Sequence, residues 1–445
     1  MSGRELHLNI NILNSGFHVA AWRAPGSDPS AFVDVGHYVR TAQIAERGKF
    51  DAVFLADVPT FAERPEYRPY QALEPTIILA TVAAHTTHVG LIGTASTSFN
   101  DPYNIARRFA SLDLASNGRV GWNAVTTADA SAARNFGLDA ALAHRERYER
   151  ATEFAEVVIG LWDSWEDGAL VADKDSGRFV DTGRVRAIDH AGKHFRVRGP
   201  LNVPRTRQGR PVLVQAGGSE DGRELAARHA EAIFSVARTQ EEGIAFAADV
   251  TARARALGRA RGPIYLPGLA TLIGSTEAEV KRREEELWEL FPLEFGLQRI
   301  AGTLQIDPAR LSYDAPLPAD AAIPQDGGHT FAEATLTVAL RDGLTVRETL
   351  RRLGTGTGHR FLAATPEAVA DDIEAWFRSG AADGFNLMPD VLPDGLEIFV
   401  DHVVPLLQRK GIFRTDYRGD TLRDHFGLAR PENSLVATQR APVSA

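Results

Sequence analysis

The sequence predicts an α/β protein built as one (β/α)8 TIM barrel with insertions over the C-terminal rim. Short apolar runs alternate with longer amphipathic stretches, which is the pattern of strands and helices in a parallel sheet or barrel. Eight such runs occur, and that number favours a closed barrel over an open doubly wound sheet. The chain of 445 residues, 44% hydrophobic and 24% charged, is long enough for one large barrel.

Each of the eight runs has the length of a strand and is bounded by loop residues. In chain order the predicted strands are Leu6–Ile12, Ala52–Ala56, Val89–Thr94, Val120–Val125, Val212–Gln215, Ala232–Ser235, Pro267–Ile273 and Gly384–Met388. Amphipathic stretches of helical length lie between most of them. The predicted helices are Phe32–Arg47, Pro75–His85, Pro102–Leu114, Arg145–Trp162, Gly222–His229, Thr239–Leu257 and Leu396–Gln408.

Two stretches do not fit the repeat, and we interpret them as insertions into one domain that covers residues 1–430. The first, about 163–210, is polar and contains a hairpin signal in IDHAGKHFRVRGPLNVP. The second, about 275–353, carries a charged helix, a loop rich in Pro, Ala and Asp, and another helix, and we expect it to act as a lid. Residues 431–445 form a tail that we expect to be mobile.

Composition excludes several classes of function. The formal net charge of -9, without a basic face carrying aromatics, argues against nucleic-acid binding. The absence of cysteine removes disulfides, thiolate nucleophiles and cysteine-ligated metals. His85 and His88 have no third ligand at a zinc-like spacing, so we expect no metal. No signal-peptide core or membrane-length apolar run is found, and we expect a cytoplasmic protein.

The residues at the ends of the predicted strands are polar. Asp57 follows the second strand, Thr94 ends the third, and Asn123 lies within the fourth. In a barrel these ends face a common mouth, where active sites are built. A mouth of amides and hydroxyls with one carboxylate suits a heterocycle with a phosphate tail better than a metal.

The turn after the fifth strand has the composition of an anion site. The sequence VLVQAGGSEDG runs from an apolar strand through Gly217, Gly218 and Ser219 into a helix. Unpaired backbone N–H groups, a helix N-terminus and a hydroxyl therefore meet in one place, which favours a phosphate. The alternative is structural: the glycines allow a tight turn, and Ser219 only caps the helix.

Nearly the whole chain resembles the bacterial luciferase-like flavin monooxygenases. The resemblance lies in NSGFHVAAWR (14–23) and in the segments 74–127, 144–154, 199–230 and 380–428, which include VGWNAVTT, HRERYERATEF and VQAGGSEDG. It is strongest to the group of nitrilotriacetate, EDTA and dibenzothiophene-sulfone monooxygenases. It implies a TIM-barrel subunit that uses reduced FMN (FMNH2) and O2.

The resemblance also implies partners and a reaction. A separate NAD(P)H-dependent flavin reductase would supply FMNH2, and one oxygen atom would enter a small aminocarboxylate, sulfone or thioether substrate through a flavin peroxide. Such barrels generally form homodimers or homotetramers. Two alternatives stay open at this point: a luciferase-like enzyme that transfers hydride with the deazaflavin F420, and a flavin-binding barrel without catalysis.

The matched motifs imply a set of cofactor-binding residues. His144 and Tyr148 match an H-x-x-x-Y pair that meets the FMN phosphate, and their spacing of four puts both on one helical face. Ser219, with Gly218 before it, matches the phosphate-binding serine. Asp57 and Thr94 match residues near the flavin, and Asn123 approaches the ring; the full set is Asp57, Thr94, Asn123, His144, Tyr148, Gly218 and Ser219.

Two histidines are the candidates for proton transfer or substrate contact. His18 lies just past the first strand, and His359 follows a glycine-rich stretch. Imidazole titrates in the range that is useful for catalysis near neutral pH. His18 has the better position of the two, because it follows a strand end at the predicted mouth.

Overall fold

The computed structural model describes residues 4–61, 65–322, 335–337, 339–340, 342–353 and 358–436. Eight parallel strands close into a barrel, so the predicted fold class is confirmed. These strands are β1 (His7–Asn11), β2 (Ala52–Leu55), β3 (Gly90–Ser96), β4 (Val120–Val125), β7 (Val212–Ala216), β8 (Ala232–Ser235), β9 (Ile264–Ile273) and β11 (Gly384–Pro389). Within the described ranges, no helix is long and apolar enough to cross a membrane.

A further parallel strand, β10 (Arg360–Ala364), is absent from the sequence prediction. Strand β9 has ten residues and pairs with β8 only over Ile264–Pro267. The same edge of β9 then pairs with β10 over Leu269–Ile273. Strand β9 therefore begins at Ile264 and not at Pro267 as predicted, and Pro267 occupies the last pair of the β8 ladder, where a missing N–H costs least.

Helices surround the barrel, and the predicted helices are present with shifts at their ends, whereas Ala130–Asn135 and Pro366–Ser379 were not predicted. They are α1 (Val35–Arg47), α2 (Pro75–His85), α3 (Pro102–Ala115), α4 (Ala130–Asn135), α5 (His144–Trp162), α6 (Glu220–His229), α7 (Gln240–Ala256), α8 (Glu277–Glu289), α9 (Leu293–Leu304), α10 (Val346–Leu353), α11 (Pro366–Ser379), α12 (Asp394–Ile398), α13 (Val404–Arg409) and α14 (Leu422–His425). The predicted helix Leu396–Gln408 is divided by a π-helical turn, Phe399–Val403, because Pro405 cannot donate a helical hydrogen bond.

Side chains alternate between the interior of the barrel and the layer of helices. Phe54, Ile92, Val214 and Leu266 pack together inside the barrel, whereas the alternate positions, such as Trp122, pack against helices. This alternation follows from the two-residue period of a strand. The interior becomes polar toward the C-terminal ends of the strands, which is where a site is expected.

The segment after α13 closes the N-terminal end of the barrel. Leu422 of α14 and the adjoining Phe426 are fully buried and join the interior cluster. Arg414 donates to the buried Asp51 carboxylate at 2.7 Å, and Arg423 forms a two-pronged pair with Glu231. The end opposite the predicted mouth is therefore filled by side chains.

The two insertions lie on different parts of the molecule. In the first, β5 (His190–Ala191) and β6 (Arg196–Val197) form the predicted antiparallel hairpin. The second carries α8, α9 and α10, and its apolar residues pack on Val19 in the loop after β1. Part of its predicted loop, residues 323–330, lies outside the described residues, as do residues 437–445 of the predicted tail.

Candidate active site

Four predicted phosphate-site residues converge at the N-terminus of α6. The hydroxyl of Ser219 donates to the Tyr148 hydroxyl at 3.3 Å and accepts the N–H of Gly222 at 3.2 Å. The His144 ring lies 4.9 Å from the Tyr148 ring, centroid to centroid. Helix α5 therefore presents both side chains to the start of α6, next to Gly218.

The surroundings of the turn require a glycine at position 217. A Cβ on Gly217 would lie 2.7 Å from Gln215 Nε2 and 3.6 Å from the Tyr148 hydroxyl. Helix α6 has ten residues, so its N-terminus carries a positive dipole end and free N–H groups. In this structure, however, His144 Nε2 pairs with Asp221 Oδ2 at 3.0 Å. A phosphate at this turn would have to compete with the Asp221 carboxylate for His144.

Thr94 and Asn123 lie side by side at the mouth of the barrel. They are register partners on β3 and β4, both are buried, and Asn123 Nδ2 donates to Thr94 Oγ1 at 2.8 Å. The Asn123 Oδ1 atom is buried and accepts no hydrogen bond from any described residue. A buried acceptor without a donor is unfavourable, so this atom is suited to a ligand N–H.

Three further asparagines enlarge this polar interior and were not predicted. Asn9 and Asn11 on β1 and Asn386 on β11 are buried, and Asn9 and Asn386 are register partners. Their side-chain oxygens accept no hydrogen bond from the described residues. The signal was present in LHLNINIL, where polar and apolar residues alternate with the period of a strand. These amides are therefore available to a polar heterocycle inside the barrel.

Asp57 lies at the same rim, in a cleft of about 520 Å³ that Ser96, Glu74 and Arg108 also line. Burial raises the pKa of Asp57 to about 6, and the negative charge of Glu74 adds to the effect. Arg108 pairs with Glu74 and opposes the rise only in part. Asp57 is therefore partly protonated in weakly acidic solution and can donate or accept a hydrogen bond in the cleft.

His359 lies at the mouth of the barrel. Its ring stacks on Phe234, with the centroids 5.3 Å apart, and meets the edge of Phe17 at 6.0 Å. A Cβ on Gly268 would lie 2.4 Å from His359 Nδ1, so the glycine makes space for the imidazole. The tertiary structure therefore brings His359 to the same rim as Thr94 and Asn123.

His18 lies in the loop after β1 and is buried against the second insertion. Its Nδ1 accepts the Ala20 N–H at 3.1 Å, and its ring meets the edge of Phe291 at 6.2 Å. Burial lowers the pKa of His18 and of His359 to about 4. The expectation that either imidazole titrates near neutral pH is therefore wrong for this structure, and both are uncharged at pH 7.

Within the described part of the chain, no group of three or more histidine, aspartate or glutamate side chains is arranged to hold a metal ion. The site consists instead of a helix N-terminus with hydroxyls, a polar interior of amides, and one carboxylate with a raised pKa. Fold and site together define a (β/α)8 barrel of the enzyme type, with a polar mouth and a helix N-terminus lined by hydroxyls.

Comparison with known proteins places this enzyme in a family. Residues 15–383 match the model of the luciferase-like monooxygenases, and the chain belongs to that family. It is 43% identical to nitrilotriacetate monooxygenase component A of Aminobacter aminovorans, over 98% of this chain and 99% of that protein. It is 40% identical to the dibenzothiophene-sulfone monooxygenase of Rhodococcus erythropolis, over 93% of this chain and 94% of that protein.

A solved structure of a related monooxygenase also resembles this chain. The EDTA monooxygenase of Chelativorans sp. BNC1 superposes with a TM-score of 0.79 at 40% identity, covering 96% of this chain and 99% of that one. The resemblance noted in the sequence is therefore confirmed, and the protein is a monooxygenase.

Proposed function

We propose that this monooxygenase binds FMN at the barrel mouth, uses it in reduced form together with O2, and inserts one oxygen atom into a small organic substrate. The observation that carries the proposal is the meeting of His144, Tyr148 and Ser219 at the N-terminus of α6. Two segments far apart in sequence, α5 and the turn before α6, bring an imidazole, two hydroxyls and backbone N–H groups to one point, and these groups are suited to bind a phosphate.

The polar interior fits the ring system of the same cofactor. The unpaired Oδ1 atoms of Asn123 and Asn11 are hydrogen-bond acceptors, and the Asn386 amide supplies both a donor and an acceptor. A flavin pyrimidine edge offers N–H donors and carbonyl acceptors of matching kind. Thr94 holds the Asn123 amide in position through their hydrogen bond, and Asp57 lines the cleft at the rim.

When bound, reduced FMN supplies the electrons and the centre at which O2 is activated. The chain's own residues orient the cofactor and exclude water. The second insertion packs apolar residues, including Phe291, over the loop that holds His18, and this cover keeps water from that side of the mouth. As uncharged imidazoles, His18 and His359 can accept or donate a hydrogen bond to substrate without bringing a buried charge.

The reduced cofactor comes, in this proposal, from a separate NAD(P)H-dependent flavin reductase. Support comes from the relative that is named component A, a name that indicates a system with more than one part. The substrate belongs to the aminocarboxylate, sulfone or thioether class, as the names of relatives that act on nitrilotriacetate, dibenzothiophene sulfone and dimethyl sulfide suggest. The active assembly is a homodimer or homotetramer, as is general for such barrels.

The test is a titration of the purified protein with oxidised and then reduced FMN without oxygen, followed by admission of O2. We expect reduced FMN to bind with a dissociation constant of roughly micromolar order, and bound flavin to be reoxidised with consumption of O2. Failure of both forms of FMN to bind would contradict the proposal. Binding of reduced F420 in their place would favour the hydride-transfer alternative.

A second measurement separates an enzyme from a flavin-binding barrel without catalysis. The protein is supplied with NADH, a flavin reductase, FMN and ¹⁸O2, together with a panel of aminocarboxylates, sulfones and thioethers. One ¹⁸O atom in a product supports the oxygenase. Flavin binding with no labelled product across the panel would favour the barrel without catalysis.

A further inference from the structure

A large cavity adjoins the cleft that contains Asp57. It has a volume of about 750 Å³ and lies between the loop after β2, the loop after β4, and α9 of the second insertion. It shares the lining residues Val58, Tyr70 and Gln71 with the Asp57 cleft, so the two spaces are neighbours. This volume is that of a small-molecule site.

The cavity contains two arginines, Arg68 from the loop after β2 and Arg299 from α9. Among the described residues, neither forms an ion pair with a carboxylate, and Arg68 makes one long contact, from Nε to the Pro69 carbonyl at 3.4 Å. Asp129 also lines the cavity, but its carboxylate accepts the Ser131 and Ala132 N–H groups as the cap of α4. Within the described ranges, the two cations therefore share a cavity in which no carboxylate forms an ion pair with either of them.

This arrangement is unfavourable in the absence of a ligand. Burial lowers the pKa of both guanidinium groups, that of Arg299 to about 10, and the charge of Arg68 contributes to the change at Arg299. Most other walls of the cavity are apolar or carry neutral amides, for example Leu13, Phe295 and Gln298. Paired guanidiniums in such surroundings bind carboxylate and sulfonate groups through charge-assisted, two-pronged hydrogen bonds.

We propose that Arg68 and Arg299 bind an oxyanion group of the substrate, a carboxylate or sulfonate, so that this monooxygenase acts on an organic anion. The inference rests on the proposed function, because it takes the adjoining Asp57 cleft as the place of reaction. The anionic end lies between the two arginines, the carbon skeleton contacts the apolar walls, and the reacting end extends past Tyr70 toward Asp57 and Ser96.

The test measures binding by calorimetry, in flavin-free and in FMN-loaded protein. The probes are succinate, thiodiglycolate and benzenesulfonate, each compared with its uncharged amide. We expect at least one anion to bind with a dissociation constant below about 1 mM and at least roughly tenfold more tightly than its amide. Arg299→Gln and Arg68→Gln should each weaken that binding by roughly tenfold or more.

The matched control is Arg310→Gln. Arg310 lies two residues after the lining residue Pro308 in sequence, but it is exposed and already pairs with Asp320 at 2.6 Å. This variant should bind the anion as the wild type does. Both test variants should melt at temperatures no lower than that of the wild type, because each removes a repulsive, uncompensated charge. If one arginine variant fails to fold, the anion affinity of the other variant tests the inference.

Three outcomes would overturn the inference: no anion of the panel binds, the arginine variants bind it unchanged, or they lose FMN to the same extent as the anion. The last result would mean that the pair holds the flavin phosphate. Anion binding by a chain that binds no FMN would uphold the anion site and contradict the proposed function. FMN binding without anion binding would support the proposed function and contradict the anion site.

Discussion

Ser219 has two roles in one turn, and both depend on the same oxygen. Its Oγ caps α6 by accepting the Gly222 N–H at 3.2 Å and also meets the Tyr148 hydroxyl at 3.3 Å. The sequence predicted the turn and left two explanations open, a phosphate site or a simple cap. The structure contains the cap. It also contains a hydrogen bond between the Ser219 and Tyr148 hydroxyls, which helix capping alone does not require.

Ser219→Ala should therefore affect binding and stability separately. We expect FMN affinity to fall by roughly tenfold to a hundredfold, about 1.5 to 3 kcal/mol, through loss of a charge-assisted hydrogen bond. Stability should fall by about 1 kcal/mol through loss of the cap. Thr239→Ala is the control, because Thr239 caps α7 in the same way, accepting the Glu242 N–H at 3.3 Å. Equal FMN affinity in Ser219→Ala and the wild type would refute the phosphate assignment.

Asp57 should give the stability of the flavin-free protein a measurable dependence on pH. Its folded-state pKa of about 6 lies above the ordinary value of 3.8, so the folded chain holds a proton that the unfolded chain releases. Its contribution to stability therefore declines as pH rises from about 4 to 6. The free energy of unfolding of Asp57→Asn minus that of the wild type should therefore rise from about pH 4 to 6 and be constant at higher pH.

Chemical denaturation at several pH values measures this difference. Asp139→Asn is measured alongside as the control for the loss of one carboxyl group, because Asp139 is exposed on the surface. A difference for Asp57→Asn that is flat from pH 4 to 6 would show that the carboxyl is not perturbed in this way.

Helix α14 and the residue after it fill and close the N-terminal end of the barrel. Phe426 is 1% exposed, packs in the interior cluster, and meets the His7 ring edge-on with centroids 5.4 Å apart. The sequence pattern predicts no helix here, because four residues are too few for a periodic pattern. Strand β10 was missed for a related reason: it extends the open edge of β9 beyond the end of β8, and the difference in strand length appears only in the assembled sheet.

Phe426→Ala should lower the free energy of unfolding by about 3 to 5 kcal/mol, because a cavity would remain where the ring fills the barrel. Denaturant unfolding of the flavin-free protein measures the change. Phe179→Ala is the control, since Phe179 is 69% exposed, and it should change stability by no more than about 0.5 kcal/mol. A small effect of Phe426→Ala would mean that the buried ring at the N-terminal end of the barrel contributes little to stability.

Buried ion pairs join the segment after α13 to residues that are distant in the sequence. Arg423 Nη2 and Glu231 Oε2 lie 2.9 Å apart, although the residues are 192 positions apart in sequence. Burial alone would raise the pKa of Glu231, but the Arg423 charge and its hydrogen bonds hold that pKa below the ordinary value. Glu231 therefore contributes stability at neutral pH that is lost as the solution becomes acidic.

Arg423→Met should destabilise the protein by about 3 to 5 kcal/mol at pH 7, because the buried Glu231 carboxylate loses its ion pair and keeps only the Leu213 N–H and the charge of Arg210. The loss should shrink at acidic pH, where Glu231 is protonated in the variant. Adding Glu231→Gln should restore part of the stability, and a double-mutant cycle measures the coupling. If the losses of unfolding free energy in the two single variants add up to the loss in the double variant, the two side chains do not act as a pair.

The sequence by itself determined the fold class, the eight barrel strands, most helices, and the membership of the luciferase-like monooxygenases. These features depend on local periodicity and on long ordered motifs, and a linear sequence records both. Only the tertiary structure decided the neighbours of each side chain: the pairing of His144 with Asp221, the low pKa values of His18 and His359, and the meeting of Arg68 with Arg299. Burial and charge proximity arise between residues far apart in the chain, so no local pattern contains them.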